Sequence, residues 1–183
     1  MKIGVIAEDT SDVEVLYELT CKLMDESSFS FKKFVGRGCG KLRRKCSAWA
    51  HNLSRRGCQY LVVVHDLDRY KEVELRNQLS ASVSSAGFDG YLILIPKREI
   101  EAWLLTDSKA LKTVFGMPKL PKIPVNSENL TDPKKTISRI VRISARKDYV
   151  NTIHNKKIAG AMRIAKAKKC VSFRPYPKFI SSI

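Results

Sequence analysis

The chain has 183 residues, of which 44% are hydrophobic, and this suits one domain or one domain with a small appendage. The sequence contains no run of about 18 apolar residues, so no membrane span is expected, and the N-terminal apolar stretch runs into Glu8 and Asp9 as a buried strand would rather than a signal peptide. The formal net charge of +16 comes from 34 Lys and Arg against 18 Asp and Glu, and it favours a polyanionic partner.

The positive charge is concentrated in two parts of the chain. Residues 1–108 hold 16 basic and 15 acidic residues, whereas residues 109–183 hold 18 basic and 3 acidic residues. Residues 32–56 add a second basic block, with nine Lys or Arg and no acid. Blocks of this density favour nucleic acid as the partner. The alternative is a solvated surface that only keeps the protein soluble.

The cysteines and histidines do not indicate a zinc site or a disulfide framework. The five cysteines are odd in number and form no Cys-X-X-Cys pair, and the three histidines have no metal-site spacing. We therefore expect reduced thiols in a cytoplasmic protein.

Apolar runs and turn residues predict an alternation of strands and helices in the first part of the chain. Strands are predicted at residues 2–7, 29–35, 60–64 and 91–95, and helices at 13–24, 41–56, 72–86 and 99–105. This alternation predicts an α/β fold whose sheet is mostly parallel and carries helices on both faces. Ligands bind such sheets at the carboxyl ends of the strands.

The character of the sequence changes after Asp107. Pro118, Pro121 and Pro124 predict an extended loop, and helices are expected at 134–144 and 152–168. The aromatic, proline-rich ending is expected to dock on the rest of the molecule. The predicted organisation is thus an α/β core at 1–107 and a basic, mainly helical extension at 108–183 packed on it.

Three acidic residues follow two of the predicted strands. Asp66 and Asp68 come after the most apolar strand, and residues two apart in a strand point to the same side. Glu8 ends the first strand at the same edge. Because like charges held close repel, and because Mg²⁺ prefers carboxylate oxygens, these residues predict a divalent-metal site.

Other acids nearby have competing explanations. Asp9 and Asp12 fit helix capping as well as metal binding. Glu99 and Glu101 precede Trp103, and a helix would send the two carboxylates in different directions. We expect Glu101 to face the site, since its apolar neighbours suggest burial, and we expect Trp103 to belong to the core.

The chain has an acid after its first predicted strand and an Asp-X-Asp motif after a later one. This pattern resembles that of the Toprim domains of topoisomerases, primases and OLD-family nucleases. More closely, the chain looks like a family of small, stand-alone, Toprim-like bacterial proteins of unknown function. The matching segments are EDTSD (8–12), GRGCGKLRRK (36–45), HDLDR (65–69), IPKREIEAWLLTD (95–107), DPKKTI (132–137), Tyr149 and KKCVSFRPYPKF (168–179).

The resemblance implies a Toprim-like (Rossmann-like) fold and a metal-dependent nuclease. It implies Glu8, Asp66 and Asp68 as catalytic residues, and Glu8, Asp12, Asp66, Asp68 and Glu101 as ligands of Mg²⁺ or Mn²⁺. Asp9 replaces the usual glycine, which either crowds the loop or adds a ligand. The resemblance also implies phage defence beside an ATPase partner, while self-association into a homo-oligomer stays open.

An acidic site repels DNA unless cations hold the flanking phosphates. The residues expected to do this are Arg37, Lys41, Arg43, Arg44, Lys45 and Lys147. DNA is favoured over RNA as the substrate.

Three other function classes remain open. The protein could be a non-catalytic nucleic-acid-binding or assembly module whose acids support structure through a metal. A haloacid-dehalogenase-type phosphatase also has a strand followed by Asp-X-Asp, but it wants a small pair after the second Asp where this chain has Arg69 and Tyr70, and it leaves Glu8 without a role. A flavodoxin-like receiver domain would not explain the basic C-terminal part.

Overall fold

A computed structural model describes residues 1–36 and 39–183 of the chain. Arg37 and Gly38, in the predicted glycine-rich loop, lie outside the described residues, and so does the side chain of Cys39. The strands are β1 (Lys2–Ala7), β2 (Ser30–Val35), β3 (Tyr60–Val64) and β4 (Gly90–Leu94). All four predicted strands are thereby confirmed, with boundaries shifted by at most one residue.

The four strands form one parallel sheet in the order β2-β1-β3-β4. Ile6 lies in register with Val63, and Ala7 with Val35, so β1 and its two neighbours end at the same edge. The predicted α/β fold with a parallel sheet, a Rossmann-like arrangement, is confirmed. Glu8 leaves this edge from β1, and His65 and Asp66 leave it from β3.

The helices are α1 (Thr10–Thr20), α2 (Cys39–Arg55), α3 (Glu72–Val83), α4 (Glu101–Leu104), α5 (Ser108–Phe115), α6 (Pro133–Ala145), α7 (Asn151–Ala161), α8 (Ile164–Ala167) and α9 (Pro175–Ile180). α1 begins three residues before its predicted start, because Asp9 caps it. α5 was not predicted at all.

The sheet is covered on both faces, as expected. On one face, Ile6, Leu61 and Val63 pack in a buried cluster with side chains of α2 and α3. The close approach of α2 needs Gly4 in the middle of β1, since a Cβ there would stand only 3.1 Å from a methyl group of Leu53. On the other face, Ile3, Val5 and Val62 pack with α1, α7 and α9.

The larger of the two buried clusters draws on both the predicted core and the predicted extension. It includes Val15 and Trp103 from the first 107 residues and Ile158, Phe173 and Tyr176 from the rest. The hydroxyl groups of Tyr176 and Thr20 lie 2.7 Å apart inside it. The C-terminal ending therefore docks on the sheet layer, and the extension shares its core with residues 1–107.

The predicted helix at 152–168 is wrong as a single element. The chain leaves the helix at Met162 and restarts at Ile164, and the buried carboxylate of Asp107 accepts hydrogen bonds from the backbone N–H (3.1 Å), Nε (2.9 Å) and Nη2 (2.9 Å) of Arg163. A contact with a residue 56 positions away cannot be read from local pattern, so tertiary structure decides this break.

β2 lies at one edge of the sheet, and within the described residues it is paired with β1 alone. Lys32 and Lys33 in its middle are both exposed. Across the described part of the chain, helices of the length and apolarity that a membrane crossing requires are not found.

Candidate functional site

A cavity of about 230 Å³ opens at the carboxyl edge of the sheet. Its lining carries six carboxylates and one ammonium group. The lining residues are Glu8, Asp9, Ser11, Asp12, Asp66, Glu99, Glu101, Lys134 and Asn151. The cavity therefore collects the acids that follow β1, β3 and β4.

Each acid reaches the cavity for a local structural reason. Glu8 directly follows β1, and Asp66 lies two residues beyond the end of β3. Asp12 is placed by the first turn of α1. Glu101 is the first residue of α4, and Glu99 precedes that helix. Because Glu99 lies outside the helix, helical periodicity does not separate it from Glu101, and both carboxylates line the cavity.

Glu8 is held by the segment that follows β3. Its Oε1 accepts a hydrogen bond from the N–H of Asp66 (3.0 Å) and lies 3.1 Å from Nδ1 of His65. Nδ1 also lies 2.7 Å from the carbonyl oxygen of Asp66. Since two acceptors face Nδ1, we assign the ring hydrogen to that atom. Burial lowers the pKa of His65, which favours the neutral ring.

Asp9 and Asp12 form a reciprocal helix cap. Asp9 accepts from the N–H of Ser11 (2.9 Å), and the Oδ2 of Asp12 accepts from the N–H of Asp9 (3.0 Å). Asp9 has φ −127°, which any residue adopts, so the position does not require glycine. Capping and a place in the cavity wall are therefore compatible for both residues.

Glu101 is held from the C-terminal part of the chain. Its Oε1 accepts from Nδ2 of the fully buried Asn155 (3.0 Å) and from the hydroxyl of Tyr149 (3.2 Å), which also lies 2.5 Å from Oδ1 of Asn155. Nζ of Lys134 lies 3.8 Å from the same oxygen. The C-terminal part thus builds one wall of the acidic cavity.

These carboxylates share a pattern of one held oxygen and one open oxygen. Within the described residues, Glu8, Asp12 and Glu101 each have one oxygen that accepts from a protein donor and a second that has no protein donor. Glu99 follows the same pattern, as its Oε2 accepts from the N–H of Lys134 at 2.9 Å. Outer hydrogen bonds of this kind orient carboxylates toward a ligand.

The cavity makes three of its carboxylates, those of Glu8, Asp12 and Asp66, hard to ionise. Burial raises the pKa of Glu8 to about 7, and neighbouring Asp68 adds to the effect. Burial raises the pKa of Asp12 to about 8, with contributions from Glu101, Asp9 and Glu8. Burial also raises the pKa of Asp66 well above its ordinary value, followed by repulsion from Asp12, Glu8 and Glu101. The acids therefore interact as one group whose negative charge lacks compensation.

A divalent cation fits the donor set of this cavity. Open carboxylate oxygens are the ligands that Mg²⁺ prefers, and a cation would relieve the mutual repulsion. In the positions seen here, no three His, Cys, Asp or Glu side chains of the described residues converge on one point that could hold an ion. The carboxylates surround the cavity without converging, so binding an ion requires the side chains to close in.

Asp68 is placed apart from the other predicted ligands. β3 ends at Val64, so the strand alternation used to pair Asp66 with Asp68 does not extend to them. Asp68 is exposed, has a left-handed backbone (φ 46°), and lines a different cavity with Arg69, Tyr70 and Arg98. It lies near enough to raise the pKa values of Glu8 and Asp66.

The predicted nucleic-acid-binding residues that the structure describes lie outside the cavity wall. Lys41, Arg44 and Lys45 are exposed on α2, whereas Arg43 is half-buried with its guanidinium 4.5 Å from the centre of the Tyr70 ring. Nζ of Lys147 donates to the carbonyl of Phe115 (2.9 Å) instead of approaching the acids. Arg37 lies outside the described residues.

Sequence reasoning missed several residues that line the cavity or hold its acids in place. Lys134, Asn151 and Asn155 were not selected, and His65 was dismissed for its lack of metal-site spacing. Lys134 follows the Asp-Pro helix start, and His65 directly precedes Asp66, so both had a local signal. Asn155 and Tyr149 approach Glu101 from about 50 residues away, and no pattern in a single sequence reveals such a contact.

Comparison with known proteins gives a family without a known activity. No significant match was found among curated proteins or among solved structures. One family model, described as Domain of unknown function (DUF4276), matches residues 7–179, which include every side chain of the acidic cavity. The chain therefore belongs to the DUF4276 family.

Proposed function

We propose that the protein is a Mg²⁺-dependent nuclease of the Toprim kind, with DNA as the favoured substrate. The observation that carries this proposal is the group of carboxylates from Glu8, Asp12, Asp66 and Glu101 around one cavity at the strand ends, with the ionised forms of the first three disfavoured by burial and by each other. A bound cation would stabilise the ionised forms of these carboxylates and relieve the repulsion among them.

The residues of the cavity have separate roles in this proposal. Asp12, Asp66 and Glu101 present oxygens to the metal, which when bound supplies charge neutralisation at the phosphate and activation of water. Glu8 serves as the general acid or base, since one of its carboxylate oxygens is held by Asp66 and the other is open in the cavity. Lys134, the cation in the cavity wall, contacts a non-bridging phosphate oxygen.

The surrounding charge supports a nucleic-acid substrate. Lys and Arg exceed Asp and Glu by 16 over the whole chain, although the cavity itself is acidic. Exposed cations on α2 and α6 would hold phosphates on both sides of the scissile bond. An acidic centre surrounded by basic residues suits a polyanionic substrate, because the basic residues hold its phosphates while the metal acts on one of them.

Two alternatives make different demands on the same residues. A phosphatase of the haloacid-dehalogenase kind would use Asp66 and Asp68 together, and the two line different cavities here. A binding module would use the basic surface and not need Glu8 or Glu101 for its affinity. The shared cavity of Glu8, Asp66 and Glu101 supports the nuclease over both.

The direct test is cleavage of supercoiled plasmid with Mg²⁺ or Mn²⁺ by the native protein and by Asp66→Asn and Glu101→Gln. We expect cutting by the native protein and a loss of about 100-fold or more in each variant, because each removes a negative ligand. Asp89→Asn is the matched control, since Asp89 is an exposed acid at the opposite edge of the sheet. It should cut like the native protein.

Absence of metal-dependent cutting, both alone and with the ATPase that the proposal expects as partner, would contradict a nuclease. Release of phosphate from a small phosphomonoester that depends on Asp66 but not on Glu8 would favour the phosphatase. DNA binding that tolerates Glu8→Gln without any cutting would favour the binding module.

A cytoplasmic location is part of the same proposal. Cys21, Cys46, Cys58 and Cys170 are all free thiols. Burial raises the pKa of each, so they are poor nucleophiles and suit a reducing compartment.

A further inference from the structure

The exposed face of α6 carries a continuous row of positive charge. Lys135, Arg139 and Arg142 lie within about 60° of one another around the helix, at 3.6 residues per turn. Arg146 continues the row at the C-cap of the helix, and all four residues are exposed. The opposite face of α6 buries Pro133, Ile137 and Val141, so the row cannot turn inward.

Most of the charge in this row has no acidic partner. Nζ of Lys135 lies 2.8 Å from Oδ2 of Asp132, but no carboxylate of the described residues lies within 4 Å of the guanidinium groups of Arg139, Arg142 or Arg146. Lys122 adds a cation beside Arg139 in an adjoining groove of about 430 Å³. The three guanidinium groups are therefore available to bind an anion.

The row begins at the acidic cavity. Lys134, the second residue of α6, lines that cavity and lies 3.8 Å from Glu101, and the next residue along the chain starts the row. From Lys135 to Arg146 the row extends about 16 Å, given a rise of 1.5 Å per residue. Measured along the axis of a duplex, that length covers about five base pairs.

α2 is also a basic helix, but its positive charge does not continue to the acidic cavity. Lys41, Arg44, Lys45 and Arg55 are exposed on it, yet none of its described side chains lines the acidic cavity. Its remaining cations are used within the protein, with Arg43 over the ring of Tyr70 and neighbouring Arg56 over that of Phe34.

We propose that the face formed by Lys135, Arg139, Arg142 and Arg146, the α6 track, binds the phosphate backbone of the nucleic-acid strand that leaves the acidic cavity. The proposal rests on the proposed function, because it identifies the flanking part of that substrate. It assigns to α6 the leading role in phosphate binding that sequence reasoning gave to the residues of α2.

The test measures binding of a fluorescein-labelled DNA duplex of 24 base pairs by fluorescence anisotropy. The buffer contains EDTA, so that no metal-dependent cutting occurs. The variant is Arg139→Gln with Arg142→Gln, and the matched control is Lys41→Gln with Lys45→Gln, which removes the same charge from exposed positions of α2. At 0.1 M salt we expect the α6 variant to lose about tenfold or more in affinity. The slope of log affinity against log salt should fall by about 2 in magnitude.

The control should lose clearly less affinity than the α6 variant. Equal losses, or a larger loss in the control, would overturn the assignment to α6. Unchanged affinity in the α6 variant would also overturn it and would point to an acidic protein as the occupant of this face. Both variants should have the same thermal unfolding midpoint as the native protein, which ensures that the comparison concerns folded protein.

Plasmid cutting separates this proposal from the nuclease proposal. If the native protein does not cut but the α6 variant still loses binding, the result supports the α6 track and contradicts the nuclease proposal. If the native protein cuts and the α6 variant binds and cuts equally well, the result supports the nuclease proposal and contradicts the α6 track.

Discussion

Glu101 illustrates how one residue depends on side chains far away in the sequence. One of its oxygens is held by Tyr149 and Asn155, while the other is left for a ligand. The two donors come from the loop before α7 and from α7 itself. We therefore regard Tyr149 and Asn155 as positioning residues, because they reach the proposed metal only through Glu101.

Tyr149→Phe removes one donor to Glu101 while keeping the ring. We expect the affinity for Mn²⁺ to fall by about tenfold, as is common when an outer hydrogen bond to a ligand is lost. Calorimetric titration with Mn²⁺ measures this directly. Tyr91→Phe, at an exposed tyrosine of β4, is the control. An unchanged affinity in Tyr149→Phe would show that this hydroxyl does not position a ligand.

Asp12 should make the metal-free protein less stable as pH rises. Its pKa is about 8 in the folded state against 3.8 ordinarily, so the folded state binds more protons than the unfolded state between these values. The free energy of unfolding contributed by Asp12 therefore falls as pH rises through that window. Asp12→Asn removes the penalty and still accepts the hydrogen bond from Asp9.

In EDTA, the stability of Asp12→Asn relative to the native protein should increase from pH 5 to pH 8, by about 1–3 kcal/mol. Urea unfolding at several pH values measures the difference. Mg²⁺ should stabilise the native protein at pH 8 and affect the variant much less. A difference that stays constant with pH would argue against a raised pKa at Asp12.

At the scale of single residues, the sequence indicates which acids gather but not how they are held. Glu8 and Asp66 were selected because each follows a strand, whereas Asp12 and Glu101 were included as ligands through the Toprim resemblance. Asp68 was expected beside Asp66, but two residues beyond a strand the backbone no longer alternates. Its left-handed φ of 46° could not be foreseen, because that conformation is uncommon for a non-glycine residue.

Among the secondary-structure elements, the break between α7 and α8 depends on a single ion pair. Asp107 caps α5 through the N–H of Lys109 and binds Arg163 with both carboxylate oxygens. Burial alone would raise the pKa of Asp107, but the hydrogen bonds from Arg163 prevail and lower it to about 2. The stabilisation is present above pH 3.8 and is lost as pH falls through 2.

Arg163→Ala should lower the free energy of unfolding by about 1–3 kcal/mol at pH 7, since it leaves the buried carboxylate of Asp107 without its partner. The figure is modest because Arg163 is half exposed. Chemical denaturation at pH 7 and pH 3 measures the effect, which should shrink at the lower pH. Lys157→Ala, at an exposed cation of α7, should change stability little. A loss no larger than in this control would contradict the role given to the ion pair.

Helices and strands were predicted correctly where the residues of the element itself indicate its type and its ends. β3 was predicted with its exact boundaries because its residues are all apolar, and the start of α6 was predicted from Asp132 and Pro133, which cap it. The failures at α5 and at the α7–α8 break both involve Asp107, whose partner Arg163 is far away in the chain.

At the scale of the whole molecule, residues on both sides of position 107 contribute to one buried core. Trp103 packs against Phe173 with ring centres 5.3 Å apart, and Thr20 contacts Tyr176. The alternation of strands and helices was enough to predict the layers. It could not show that the basic extension completes both the core and the acidic cavity, because those contacts link segments more than 45 residues apart.

A fragment of residues 1–107 should therefore not fold cooperatively. It would expose apolar side chains of α1 and α4 that α7 and α9 bury in the intact protein. Circular dichroism during urea titration and binding of a hydrophobic dye compare the fragment with the full chain. A sharp two-state transition and no dye binding in the fragment would show that the first 107 residues form an independent domain.

The lysines of β2 have a consequence for how copies of this protein could meet. An edge strand can pair with the same strand of a second molecule and so continue the sheet across an interface. If two β2 strands met around a twofold axis, Lys32 and Lys33 of both copies would add positive charge to both faces of the joined sheet. Like charges across such a pair destabilise it, so the two lysines disfavour joining two copies of the protein through the edge of the sheet.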